Sequence, residues 1–184
     1  MTERKVAVLV GSLRKASYNR KTALALIGLA PETLKLEIIE IGALPLYDQD
    51  LDADAPPAWR AFRDAVRPCD AVLFVTPEYN RSVPGVLKNA IDVGSRPYGQ
   101  SVWSRKPAAV VTVSPGAIGG FGANHHLRQS LVFLDMPALQ QPEAYIGHAA
   151  TVFAEDGSIA SEDTRKFLAG LMTAFAAWIE RTAE

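Results

Sequence analysis

The chain has 184 residues, 48% hydrophobic and 21% charged, with 19 basic and 20 acidic side chains giving a net charge of −1. That length suits one domain with a full core, and the even charge balance disfavours a nucleic-acid partner. The lone cysteine, Cys69, excludes an internal disulfide and a cysteine-based zinc site and agrees with a reducing compartment.

KVAVLVG, near the N-terminus, is a continuous valine-rich run that predicts a strand buried on both faces. At about six apolar residues it is too short for a signal-peptide core. No run approaches the ~18 apolar residues a membrane helix needs. A soluble, cytoplasmic protein without a membrane partner is expected. Ser17 to Ala30 has helical spacing, with Leu24, Ile27 and Leu29 among alanines. LKLEIIEI, Leu34 to Ile41, alternates and predicts a second strand nearer an edge. A long polar loop, Ile41 to Pro57, leads through Pro56 and Pro57 into a helix running to Arg67, since proline suits a first turn.

DAVLFVTP, Asp70 to Pro77, predicts a third strand, again buried on both faces. Ser82 and Pro84 open a helix whose Val86, Ala90 and Val93 share one side, with Leu87 and Ile91 beside them. Lys106 to Gly116 predicts the fourth strand; a glycine loop follows, then a helix from Ala123 to Leu134. Ala138–Leu139 and Ala144–Ile146 can supply a short fifth strand. Ser161 caps a last helix, with Glu162 and Asp163 in its first turn. Phe167, Leu168, Leu171, Met172, Phe175, Trp178 and Ile179 give that helix a wide apolar stripe suited to covering a sheet face.

Strands separated by helices should be parallel with right-handed crossovers, and strands apolar on both faces need helices on both sides. The expectation is an α/β doubly wound five-stranded parallel sheet in the order 2-1-3-4-5. In such sheets ligands bind beyond the carboxyl ends of the strands. Three loops lie there. GSLRKASYN offers hydroxyl, amide and cationic groups at Ser12, Arg14, Ser17 and Asn19, beside the free amides of a helix start, which suits a phosphate. Ser17 also serves simply as a helix cap. PEYN, Pro77 to Asn80, offers the amides of Glu78, Tyr79 and Asn80 to a flat ring, with Tyr79 for aromatic contact, or is simply a strand-to-helix connection; Glu78 reads as a surface or orienting group before a general base. SPGAIGGFG, Ser114 to Gly122, has glycines that let backbone approach a ligand, or simply make a flexible loop. Neither a P-loop nor a G-x-G-x-x-G turn is present. A mononucleotide with a large flat ring fits these loops, and FMN fits better than ATP.

GSLRKASYNR followed by TPEYNRSVPGVLKNAID resembles the NADPH-dependent FMN reductase family, in particular its soluble bacterial quinone and chromate reductases. SPGAIGG, HHLRQSLVFLD and PEAYIG fit the same family. The resemblance implies one flavodoxin-like domain over 1–184 with noncovalently bound FMN and NADPH or NADH as reductant. It implies that Ser12, Leu13, Arg14, Lys15, Ala16, Ser17, Tyr18 and Asn19 hold the phosphate and ribityl chain. Pro77, Glu78, Tyr79 and Asn80 would hold the isoalloxazine, with Ser114 and Gly116 also at the flavin. It further implies a homodimer or homotetramer, with Arg128 and Glu143 as candidate intersubunit charges. Val93 stands where relatives often carry tryptophan, which would alter the substrate cleft or a subunit contact.

The chemistry expected is hydride transfer from NAD(P)H through FMN to quinones, chromate, azo compounds or ferric chelates, in a ping-pong cycle with no protein nucleophile and no metal. Arg81 is a candidate for a nicotinamide nucleotide phosphate. The alternatives are a flavodoxin-type electron carrier, usually far more acidic than this chain, a reductase supplying free reduced flavin, and a nucleotide-binding regulator without turnover. His125 and His126 are consecutive near a helix start and should diverge, while His148 lies in another segment. Cys69 reads as a small buried residue.

Overall fold

The computed structural model describes residues 2–154 and 157–182; Met1, Glu155, Asp156, Ala183 and Glu184 of the expected 1–184 domain lie outside the described residues. The valine-rich runs divide by strand alternation between two cores. In β1 (Arg4–Val10), Val6, Val8 and Val10 enter one core, while Ala7 and Leu9 enter the other. In β3 (Ala71–Thr76), Leu73 and Val75 go one way and Val72 and Phe74 the other. Such strands are stable only if both faces are covered.

The covering helices alternate with the strands. α1 (Tyr18–Leu29) follows β1, and α5 (Glu162–Thr182) closes the same face with Leu168, Leu171, Met172, Phe175 and Ile179 in the core. The opposite face carries α2 (Pro57–Val66), α3 (Gly85–Gly94) and α4 (Phe121–Phe133). Together with β2 (Leu34–Ile38), β4 (Ala108–Val113) and β5 (Ala144–Ile146), the strands form one parallel sheet ordered β2-β1-β3-β4-β5. β5 is short, and Ala138 adds only an isolated bridge to Ala108. Among the described residues no helix is long and apolar enough to cross a membrane.

Two buried indoles lock the α2–α3 face, each with its N–H satisfied. Trp59 donates to the Pro45 carbonyl at 3.0 Å, and Trp103 to that of Ile91 at 2.9 Å. The Trp103 ring lies so close to Gly94 that a Cβ there would sit 2.3 Å from it. Val93, beside Gly94, is wholly buried in this core. Its side chain is therefore core packing in this chain.

The long polar segment after β2 is ordered differently from a plain loop. β2 ends at Ile38, although the Ile39 amide still donates to Val8. Residues Gln49–Asp54 form a 3₁₀ helix capped by Asp48, whose carboxylate accepts from the Asp50 amide. Asn89 of α3 pins the preceding stretch, accepting from the Tyr47 amide and donating to the Leu44 and Pro45 carbonyls.

Candidate cofactor site

β1 and β3 lie side by side, and their C-terminal loops leave toward opposite faces of the sheet, opening the crevice where ligands bind in such folds. Gly11 makes the join possible. Its amide donates to the Val75 carbonyl at 2.9 Å, and a Cβ at this position would lie 2.2 Å from the Thr76 Oγ1. Only glycine lets the first loop leave the strand so close to the third.

The first loop ends at a helix start with the expected chemistry. Ser17 is the N-cap of α1, its hydroxyl accepting from the Arg20 amide at 3.2 Å. The amides of Tyr18 and Asn19, at the first two helical positions, have no intrahelical acceptor. The first turn carries no acidic residue, so the positive helix end faces the loop uncompensated. Leu13, Arg14, Lys15 and Ala16 are exposed, and Ser12 and Tyr18 are half-buried. Arg14 and Lys15 have no carboxylate partner among the described residues, whereas Arg20 is paired with Glu40 at 2.7 Å. Asn19 is only 5% exposed; its Nδ2 reaches the Val113 carbonyl at 3.5 Å, and its Oδ1 is buried with no partner. A buried acceptor left unpaired costs about 1–3 kcal/mol unless something else satisfies it.

The third-strand loop is a tight turn. Tyr79 and Ser82 exchange both backbone hydrogen bonds, at 2.9 and 3.0 Å, and Asn80 and Arg81 between them have φ of +51° and +63°. Paired positive φ at the two central residues is what a type I′ turn requires. This corrects one expectation: the Tyr79 amide is committed to Ser82 and cannot serve a ligand. The amides of Glu78 and Asn80 have no protein acceptor among the described residues. Pro77 is buried, and the Tyr79 ring is about half exposed beside the turn.

Glycines of the fourth-strand loop meet protein rather than open space. A Cβ on Gly119 would lie 2.7 Å from the Tyr145 carbonyl carbon, one on Gly120 2.9 Å from Thr112, and one on Gly122 2.9 Å from both Glu78 Oε2 and the Arg81 carbonyl oxygen. The loop is therefore a packed junction and not a flexible one. Gly116 is the exception: it is exposed, and a Cβ there would meet only the Ser114 hydroxyl, at 3.7 Å. Ser114 accepts from the Gly116 amide at 3.2 Å, and its own backbone is tied to Ile146 and Ala149. The three loops thus converge, with Asn19 touching the end of β4, Gly11 against Thr76, and Glu78 against α4.

Groups set aside for other roles are also placed. His126 pairs with the Ser82 hydroxyl at 3.0 Å, while His125 packs tilted against Phe121, lies roughly parallel to the Tyr145 ring and approaches the Tyr145 hydroxyl at 3.3 Å. The two side chains diverge as their spacing requires. Burial, and then Glu143, push the Tyr145 phenol above its usual range. Within the chain, Arg128 donates to Asn124 Oδ1 and to the Leu139 carbonyl. Arg81 is paired with Glu78 at 2.9 Å. Cys69 is half-buried at the opposite end of the sheet, a correction to full burial. The sequence marks Gly11 as the end of a buried strand and Gly122 as part of a glycine loop, but the close packing of Gly11 on Thr76 and of Gly122 on Glu78 becomes visible only in the fold.

The NADPH-dependent FMN reductase family model matches residues 4–151. A quinone reductase of Pseudomonas putida is 67% identical over 176 residues, covering 95% of this chain and 94% of that protein. A 2-hydroxy-1,4-benzoquinone reductase of a Burkholderia species is 51% identical over 175 residues, covering 95% and 96%. The solved structure of FerB, a flavoenzyme NAD(P)H:(acceptor) oxidoreductase from Paracoccus denitrificans, aligns with a TM-score of 0.92 at 48% identity, over 97% of this chain and 98% of FerB.

Proposed function

The chain belongs to the NADPH-dependent FMN reductase family and is an FMN-dependent NAD(P)H oxidoreductase, and we propose that the three converging loops hold its FMN and that quinones are its acceptors. The assigned residues are Ser12 to Asn19 for the phosphate and ribityl chain, Pro77 to Asn80 for the ring, and Ser114 with Gly116 at its edge. The observation that carries this assignment is Asn19, whose buried and unpaired Oδ1 beside a helix start suits a donating ribityl hydroxyl. Arg14, Lys15 and the Tyr18 and Asn19 amides give the phosphate both charge and directed donors. The Glu78 and Asn80 amides suit ring acceptors, and the half-exposed Tyr79 leaves one side of the ring site open.

When bound, FMN supplies the hydride acceptor and donor. The protein's part is to fix the ring edge through backbone amides, to set the polarity around it, and to keep one face accessible. No protein nucleophile is needed. NAD(P)H and the acceptor use the open face in turn, so steady-state rates should give parallel lines in double-reciprocal plots of NADPH against quinone; intersecting lines would refute a shared site. Chromate, azo compounds and ferric chelates are further acceptors for an accessible reduced flavin. The names of the relatives, which act on quinones, support the quinone reading first.

The same reading includes one FMN-binding domain, a cytoplasmic location and a homodimer or homotetramer. Supporting assembly, Tyr98, Val132 and Phe133 are each more than four-fifths exposed. Light scattering at graded protein concentration tests it, and a monomer at every concentration would refute it.

A further inference from the structure

The α4 helix begins at Gly120, which has no side chain to cap it. Its exposed first-turn amides would ordinarily be satisfied by Ser, Thr, Asp or Asn at that position. Here the cap comes from a different element. Glu78, on the turn after β3, directs Oε2 to the Ala123 amide at 3.1 Å and Oε1 to the Arg81 guanidinium at 2.9 Å. The carboxylate is only 11% exposed. Gly122 leaves the room it needs, since a Cβ there would stand 2.9 Å from Oε2. Arg81 sits at the turn tip with positive φ, a conformation that costs energy for a residue with a side chain. A second tie, His126 to Ser82, joins the same two elements.

The geometry points to Glu78 as a positioning residue that sets the ring-holding turn from the neighbouring helix. One carboxylate caps α4, neutralises Arg81 and fixes the turn whose Glu78 and Asn80 amides face the ring, so that the ring site is formed before FMN arrives. Preorganisation of this kind strengthens binding by removing the ordering cost at the moment of association. Arg81 is accordingly a structural partner of Glu78 before it is a contact for any nucleotide phosphate. The inference rests on the assignment of Pro77 to Asn80 to the flavin ring.

The test begins with amide exchange of the wild-type apoprotein and holoenzyme. Slowed exchange at Glu78 and Asn80 on adding FMN upholds the ring assignment; unchanged exchange there overturns that assignment and this inference with it. FMN affinity is then measured by fluorescence titration for three variants, with melting temperature measured on each apoprotein. Glu78→Ala should bind FMN about tenfold more weakly, the scale of a lost charge-assisted hydrogen bond. Gly122→Ala should weaken binding at least as much, because its Cβ would press on the Arg81 carbonyl of the turn as well as on the carboxylate. Glu78→Gln keeps an oxygen for the Ala123 amide and should stay within about threefold of wild type. Wild-type affinity in Glu78→Ala, or a lower melting temperature with affinity unchanged, overturns the positioning role while leaving the ring assignment intact. Equal losses in Glu78→Gln and Glu78→Ala overturn the capping mechanism.

Discussion

Replacing Gly11 by alanine puts a methyl group where none fits. The new Cβ would lie 2.2 Å from Thr76 Oγ1, 2.9 Å from Thr76 Cβ and 3.3 Å from Leu87 Cδ2. Both neighbours are wholly buried, and Thr76 ends a central strand that cannot turn aside. Overpacking of a tight core costs about 1–3 kcal/mol, and a contact this short with an immobile neighbour belongs at the upper end, about 3 kcal/mol. For a chain of this size each kcal/mol lowers Tm by about 2–4 °C, so a drop of roughly 6–12 °C is expected. The strain also parts the first loop from the turn after β3, so FMN affinity should fall about tenfold, equivalent to about 1.4 kcal/mol. The assay is thermal unfolding of the apoprotein followed by FMN titration. Thr76→Ala in the same chain removes the closest atom, so the double variant should recover part of the loss; the two sites are coupled and their effects should not add. A Gly11→Ala protein with unchanged Tm and FMN affinity would refute the close-join argument.

Other outcomes follow from single observations. Asn19→Ala removes the buried unpaired Oδ1 and should weaken FMN about tenfold while changing apoprotein melting little, because the only bond lost is a long one of 3.5 Å. Ser17→Ala removes the α1 cap and should cost about 1 kcal/mol in denaturant unfolding. Burial pushes the Cys69 thiol up, so it stays protonated at neutral pH and should react with a disulfide reagent far more slowly than a free thiol. The hydrogen bond from Arg4, at 2.7 Å, holds the Glu180 carboxyl below its usual range. A carboxyl depressed in the folded state contributes stability above its unfolded pKa that is lost as pH falls through the folded value. Glu180→Gln should therefore narrow the difference in Tm between neutral and acid solution.

Much of this architecture is readable from the residues alone because its causes are local. Val6 to Val10, Ala71 to Val75 and Ala108 to Val113 are buried on both faces, and continuous apolar runs have no other stable place in an α/β protein. Ser17 caps α1 because its hydroxyl competes for a backbone amide three residues on, a property of the local chain. What escapes is tertiary. That Tyr79 spends its amide on Ser82 depends on two consecutive residues adopting positive φ, one of them an arginine, which the letters PEYNR do not announce. That Gly119 and Gly122 pack against protein depends on Tyr145 and Glu78, which lie distant in sequence, and that Gly120 does so depends on the loop folding back onto Thr112. That the indole of Trp103 folds over Gly94, beside Val93, is likewise not announced by the helix pattern around Val93. The segment after Ile41 is polar in sequence yet ordered, because Asn89 and Trp59 hold its carbonyls and Tyr47 amide from α3 and α2.

The measurement that bears most directly on the function is the visible absorbance of the purified, desalted protein under anaerobic conditions, recorded before NADPH, after it, and after a quinone is added. A yellow protein whose flavin absorbance is lost with NADPH and returns with one equivalent of quinone is the expected result. A protein that stays colourless after incubation with FMN, or a yellow one that NADPH leaves unchanged, would contradict the account.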